Sequence, residues 1–200
     1  MKLKLTFSEP LLGTKSGDPE VYRNYLLDKA TKDIPSDERE ALEGAIAATP
    51  LEELERKTTL FSADENGNPF MWDYMIKGFF KEAQGAFNRV KTADCPEMKA
   101  FRKIISALIF VFPRKIPIVL NGQEKTTYLE RPLRGQTAQG ERISLVRSQM
   151  APAGSEIELE ITCLEPKLEN YIYRYMDYGK YYGLGQWRNA SFGRFTWQEL

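Results

Sequence analysis

The chain contains no histidine. That absence removes the commonest general base and metal ligand near neutral pH, and with it every Ser-His or Cys-His nucleophile pair. Carboxylate, lysine or tyrosine catalysis stays open, but neither a catalytic role nor a metal or other cofactor is expected. Only two cysteines are present, Cys95 and Cys163, too few for a disulfide framework or a thiolate metal cluster. A reduced, cytoplasmic setting is therefore expected. No apolar run approaches the roughly 18 residues that span a bilayer. The longest, Ile104 to Pro113, is broken by Ser106, so no membrane partner is expected. Met1 to Leu5 alternates like a strand and lacks the apolar core of a secretory signal.

Neither sign of charge is in excess: 28 basic and 28 acidic side chains give a net charge of zero. The distribution is uneven. Residues 1–100 carry 14 basic and 18 acidic side chains, and residues 101–200 carry 14 and 10. A protein that wraps long nucleic acid needs a broad basic face, whereas this chain has room for a local basic pocket. Such a pocket suits a small or short phosphate-bearing ligand. Two hundred residues with 42% hydrophobic and 28% charged side chains describe one globular domain that can bury a full core.

The segment richest in chemistry closes the chain: Gly183-Leu-Gly185-Gln186-Trp187-Arg188-Asn189-Ala-Ser191-Phe192-Gly193-Arg194-Phe195. Three glycines within eleven residues mark positions where the backbone takes positive φ or approaches something closely. Backbone N–H groups of such a loop can cradle a phosphate, Arg188 and Arg194 can fork onto it, and Trp187 offers a flat surface. A helix C-cap followed by a bulged edge strand accounts for the same residues without a ligand.

Along the chain, Leu3, Leu5 and Phe7 alternate with Lys2, Lys4 and Thr6, a half-buried strand. Asp18-Pro19 opens helical spacing, and residues of about 18–57 read as a helical insertion. Thr58 to Phe61 reads as a short strand. Asp64-x-Asn66-x-Asn68 has the start of a calcium loop, but Pro69 stands at its glycine and Met75 at its glutamate, so a solvated turn is expected. Trp72 to Val90 reads as a long helix with Met75, Phe79, Phe80, Ala83 and Phe87 on its apolar side, and Pro96 to Ile105 as a second. Leu108 to Phe112 and Ile116 to Leu120 read as strands around an exposed Arg114-Lys115 turn. Tyr128 to Gly140, with Arg131 and Arg134 beside Pro132 and Gly135, reads as a basic irregular segment. Ile143 to Gln149 and Glu156 to Cys163 read as a strand and its return. In the latter, Ile157, Leu159, Ile161 and Cys163 face one way, and Glu156, Glu158 and Glu160 form a solvated row. Leu168 to Tyr182 is a tyrosine-rich helix, before a terminal strand. The element order is β-α-β-β-α-β with insertions, a ferredoxin-like α+β fold with an antiparallel sheet and helices on one face.

Two segments resemble the RAMP superfamily, the RNA-binding subunits and RNA-processing enzymes of CRISPR systems. The tail Gly183-Leu-Gly185-x5-Ser191-Phe-Gly193 is similar to that family's glycine-rich loop before the last strand, with Ser191 in place of one glycine. Ile76-Lys77-Gly78-Phe79-Phe80-Lys81 is similar to the Ile-Lys-Gly-x-φ-Arg opening of the first helix, with Lys81 in place of arginine. Phe112-Pro-Arg-Lys-Ile-Pro117 and Thr137-Ala-Gln-Gly-Glu-Arg142 also resemble an uncharacterised phage and prophage protein family. The resemblance implies a RAMP- or RRM-like domain over 1–200 with the insertion at about 18–57, and a viral protein acting in a host cell's cytoplasm.

Three functions are consistent with these residues. The first is a non-catalytic holder of a nucleotide-type ligand, its site made from Lys77, Arg131, Arg134, Gly183, Gly185, Gln186, Trp187, Arg188, Asn189, Gly193 and Arg194. In a phage this would serve counter-defence, by sequestering a nucleotide signal or blocking a host defence protein, with homo-oligomerisation open. The second is RNA binding, as the RAMP resemblance implies, along a track including Arg114, Lys115, Arg131, Arg134, Arg188 and Arg194. The third is a metal-independent endoribonuclease, for which no aspartate stands in a matching motif. A scaffold in which the glycine loop merely closes the fold is the bland alternative.

Overall fold

The computed structural model describes residues 1–17, 58–90, 95–137 and 140–200, the side chains of 132–145 excepted. The helical insertion expected at about 18–57 and the side chain of Arg134 lie outside the described residues. In chain order the strands are β1 (Lys2–Phe7), β2 (Leu11–Leu12), β3 (Lys15–Ser16), β4 (Thr58–Leu60), β5 (Ser62–Ala63), β6 (Pro69–Trp72), β7 (Ile109–Phe112), β8 (Lys115–Pro117), β9 (Thr127–Thr137), β10 (Gly140–Ala151), β11 (Glu156–Cys163) and β12 (Phe195–Glu199). The α-helices described are α1 (Asp73–Val90), α2 (Phe101–Leu108) and α3 (Glu169–Tyr178). None is long and apolar enough to cross a membrane.

The chain forms two compact units, Met1–Leu12 with Phe61–Thr127 and Met150–Leu200, and Gly13–Leu60 with Tyr128–Gln149. The first is α+β and ferredoxin-like. Its four-stranded sheet has the order β12-β1-β11-β7, and every neighbouring pair is antiparallel. β11 lies between β1 and β7, which flank α1 and α2 in sequence, so the split βαβ pattern is complete. The period-2 alternation of β1 explains its place: Leu3, Leu5 and Phe7 are fully buried and Lys2, Lys4 and Thr6 turn to the other face. β11 matches it in register, with Leu5 opposite Ile157 and Leu3 opposite Leu159.

Helices α1 and α3 supply the apolar cover. α1 buries Ile76, Phe79, Phe80 and Ala83, and α3 buries Ile172, Tyr175 and Met176. The Phe79 ring meets Phe195 edge-on at 5.5 Å, and Phe195 meets Phe7 at 6.2 Å, which ties helix, terminal strand and first strand into one cluster. Each such buried ring contributes on the order of 2 kcal/mol of transfer free energy. A polar network sits inside this apolar layer. Tyr175 Oη donates to Gln84 Oε1 at 2.6 Å, the Cys95 thiol donates to the same oxygen at 3.5 Å, and Gln84 Nε2 donates to Asn88 Oδ1 at 2.7 Å. Asn88 in turn accepts from the Met98 amide at 3.0 Å and donates to its carbonyl at 3.1 Å.

That network explains why the second helix starts late. Helical spacing predicts it from Pro96, but it begins at Phe101, because Gln84 and Asn88 take up backbone groups of Pro96 and Met98 that a helix would otherwise use. The tyrosine-rich helix also ends early, at Tyr178. Neither expected hairpin forms. β7 pairs with β11, whereas β8 pairs with β6 in a separate three-stranded sheet β5-β6-β8. β11 joins β1, whereas the end of β10 pairs with β2 through Met150 and Ala151. The Asp64 turn closes on itself: Asp64 Oδ1 accepts the Asn66 and Asn68 amides at 2.9 and 2.8 Å.

In the second unit β10 runs parallel to β4, β3 pairs antiparallel with β4, and β9 pairs with β10. Most of the segment Tyr128 to Gly140, which reads as irregular, lies in strand β9, Thr127–Thr137. Pro132 is tolerated because β9 pairs with a single described neighbour, as an edge strand does. Thr59 Oγ1 donates to Ser148 Oγ at 2.8 Å, and Arg147 lies 4.0 Å over the Tyr128 ring.

Candidate nucleic-acid interface

The glycine loop is held tightly against its own chain. The Leu184 amide donates to the Gly193 carbonyl and the Gly193 amide to the Pro10 carbonyl, each at 2.9 Å. A Cβ on Gly183 would overlap the Gly193 carbonyl group, so that position requires glycine for close approach. Gly185, at φ +80°, has Leu12 O 2.8 Å from where a Cβ would stand. Trp187 and Ser191 also take positive φ, and the Trp187 ring packs edge-on against Phe192 at 6.1 Å. Gln186 is half-buried beside it.

The loop's arginines are engaged. Arg188 forks onto Glu82 of α1, Nη2 donating to Oε1 at 3.0 Å and Nη1 to Oε2, and its guanidinium lies 4.9 Å from the Tyr182 ring centroid. Arg194 Nε donates to the Tyr181 carbonyl at 3.1 Å. Lys77 lies 5.0 Å from the Phe110 ring centroid at the β7 edge of the sheet. Arg131 and Arg134 belong to the second unit; Arg131 is half-buried. Of the residues singled out in the sequence, Asn189 lines a groove and Arg188 holds a groove residue, Glu82.

That groove, of about 1060 Å³, runs along α1. Its floor is the stripe Gly78, Lys81, Glu82, Gly85, Ala86 and Arg89, spaced so that all lie on one face of the helix. The far wall is Phe101, Arg102, Lys103 and Ser106 of α2, and Tyr178, Tyr182 and Asn189 close the near end. Four cations thus converge, Lys81, Arg89, Arg102 and Lys103, and none makes an ion pair among the described residues. The one acid among the described lining residues, Glu82, is taken by Arg188.

Helix α2 sharpens the field. It has no acid in its first turn and instead carries Arg102 and Lys103 there. Cations at a helix N-terminus oppose the macrodipole, each at a cost of about 0.3–1 kcal/mol. A bound anion would offset that cost. Phe101 and the tyrosines add flat surface beside the charge. Burial raises the Tyr178 hydroxyl above its ordinary range, with Tyr182 and Glu82 adding to the effect, so it stays a neutral donor. Of these residues, Lys81 stands where the resemblance has arginine, and Arg89, Arg102 and Lys103 are not singled out in the sequence.

No protein-family model matches the chain, and no curated protein matches it. The chain is similar in fold to a chain of the Type III-B Cmr-beta bound to cognate target RNA, solved by cryo-electron microscopy. The TM-score is 0.50 at 9% sequence identity, over 99% of this chain and 58% of that one. The chain therefore spans a little over half the neighbour's length, and at that identity the likeness is one of fold.

Proposed function

We propose that this protein is a non-catalytic RNA-binding protein of RAMP-like fold that holds a short single strand in the groove between α1 and α2. The observation that carries the reading is the convergence of Lys81, Arg89, Arg102 and Lys103 on one groove whose only acid among the described lining residues is already paired. Unpaired cations supply phosphate contacts, and the Phe101, Tyr178 and Tyr182 rings supply surfaces for bases. The fold neighbour's bound target RNA supports the same ligand class. Net charge near zero fits a footprint of a few phosphates rather than a long track.

A second reading, a holder of a phosphate-bearing nucleotide, is favoured by Arg188 and Asn189 standing at the closed end of the groove beside Tyr182. Its counter-defence role in a phage rests on the resemblance of residues 112–117 and 137–142 alone.

The test is fluorescence anisotropy with a labelled 12-nucleotide single-stranded RNA, over a salt series, for wild type and Arg89→Ala/Arg102→Ala. The expected outcome is binding at low salt. Loss of two phosphate contacts should lower the slope of log affinity against log salt by about 1.4. Displacement of the RNA by micromolar free nucleotide would favour the second reading, and no binding at 50 mM salt would overturn the RNA reading.

A further inference from the structure

A second cluster lies outside the groove, where the small sheet meets the start of α1. Alternation along β6 sends Met71 into the core and places Phe70 and Trp72 together on the opposite face, their rings 4.9 Å apart and edge-on. Lys115 of β8 pairs directly across from Trp72. The Trp72 ring is anchored, since its Nε1 donates to Ser62 Oγ at 3.1 Å. Tyr74 then stacks beside it, centroids 6.2 Å apart and planes within 14°. Three cations lie over these and the adjoining edge: Arg114 at 5.7 Å from Trp72, Lys115 at 5.4 Å from Phe70 and Lys77 at 5.0 Å from Phe110.

The cluster is exposed at its Tyr74 end, and its cations, Arg114, Lys115 and Lys77, form no close ion pair among the described residues. Tyr74 is 46% exposed and Phe112 51%. Among the described acids, Asp64 is occupied by Asn66 and Asn68 and lies in the field of Lys115, Asp73 stands in the first turn of α1, and Glu160 pairs opposite Phe112 on the sheet side. An exposed Tyr74 ring stacked on a half-buried, anchored Trp72, with Phe70 buried beneath and a guanidinium over Trp72, matches a nucleobase joined to a phosphate.

Position joins this cluster to the groove. Tyr74 stands four residues before Gly78, so it lies on the same face of α1 as Gly78, Lys81 and Gly85. From Tyr74 to Arg89 the helix rises about 22 Å. We infer that Trp72, Tyr74 and Arg114 form a base-stacking platform that extends the α1 groove into one single-strand RNA track. The inference rests on the RNA reading of the groove.

The test compares single-stranded A12 and A4 RNAs by anisotropy for wild type, Tyr74→Ala/Arg114→Ala and Arg89→Ala/Arg102→Ala, with Tyr74→Trp as a conservative variant and thermal melts as a folding control. Loss of one stacked base should weaken A12 binding by about tenfold, while the salt slope changes by no more than about one phosphate's worth, about 0.7. Tyr74→Trp should retain wild-type affinity. Photo-cross-linking of 5-iodouridine RNA should label the tryptic peptide of residues 58–77. If Tyr74→Ala/Arg114→Ala binds A12 as wild type does while Arg89→Ala/Arg102→Ala loses affinity, the platform is overturned and the groove stands. If wild type binds neither RNA, both fall.

Discussion

The outer face of the four-stranded sheet and the groove on its helical side carry similar charged groups in opposite arrangements. On the outer face Lys2 stands opposite Glu160 and Lys4 opposite Glu158, and Lys4 Nζ reaches Glu156 at 2.7 Å. That contact lowers the Glu156 carboxyl and raises the Lys4 amine from their ordinary values. Each cation has an acid beside it, so the surface is neutral at short range and such pairs contribute little. In the groove, Lys81, Arg89, Arg102 and Lys103 gather without an ion-pair partner among the described residues. Where a four-stranded sheet binds RNA through its face, exposed aromatics stack the bases. Here Glu158 and Glu160 are exposed in the centre of that face and would repel phosphate. Pairing, rather than the number of charges, separates a solvated face from a candidate site.

Reversing charge in the groove and removing it on the outer face tests this most strongly. Arg89→Glu/Arg102→Glu should weaken binding of a 12-nucleotide RNA on the order of 100-fold, since two phosphate contacts become repulsions. Glu158→Gln/Glu160→Gln should change it less than about threefold, because exposed charges beyond a Debye length of about 10 Å are screened. Anisotropy at 100 mM salt reads both. Comparable changes from the two variants would dissolve the distinction and point to diffuse attraction.

The groove also depends on a wall being in place, and that wall hangs on Gln84. Gln84→Leu leaves the Tyr175 hydroxyl, the Cys95 thiol and Asn88 short of partners. It should cost about 2–3 kcal/mol, read from urea unfolding, and weaken RNA binding through displacement of α2. Tyr175→Phe should cost nearer 1 kcal/mol, since Gln84 Oε1 keeps the thiol. A Gln84→Leu variant of unchanged stability would show that residues 95–98 are not held this way.

Much of this architecture is legible in the chain. The alternation in residues 2–7 and 156–163, the apolar stripe of 73–90 and the terminal strand give the ferredoxin-like order directly, because each pattern reports one face buried against the same core. Strand pairing was not legible. Residues 109–112 and 115–117 are neighbours in sequence yet enter different sheets, and nothing local distinguishes this from a hairpin. Strand β9 was hidden by Pro132 and Gly135, which local composition reads as loop. The groove was legible in part: the glycine loop drew attention to Arg188 and Asn189, but Lys81 and Arg102 are 21 residues apart and meet only through the packing of α1 on α2. Arg102 and Lys103 give no clue in the sequence, because helical spacing starts that helix at Pro96 with Glu97 in its first turn, and only the later start at Phe101 puts the two cations at an acid-free helix start.

Two glycines inside α1 offer the smallest and most discriminating test. Gly78 and Gly85 lie on the groove floor, and each weakens the helix by about 1 kcal/mol relative to alanine. A Cβ on Gly78 would meet nothing within 4 Å, and Gly78 has no positive φ; packing and backbone geometry therefore give no reason for glycine there. Gly183 is the contrast, since its Cβ would overlap the chain. If nothing occupies the groove, Gly78→Ala should raise stability by about 1 kcal/mol with no other effect. If a strand lies against the helix, the same methyl fills space that the ligand uses, and RNA affinity should fall severalfold while the melting temperature rises. Opposite movement of these two readouts separates a groove shaped for a ligand from one left over by packing.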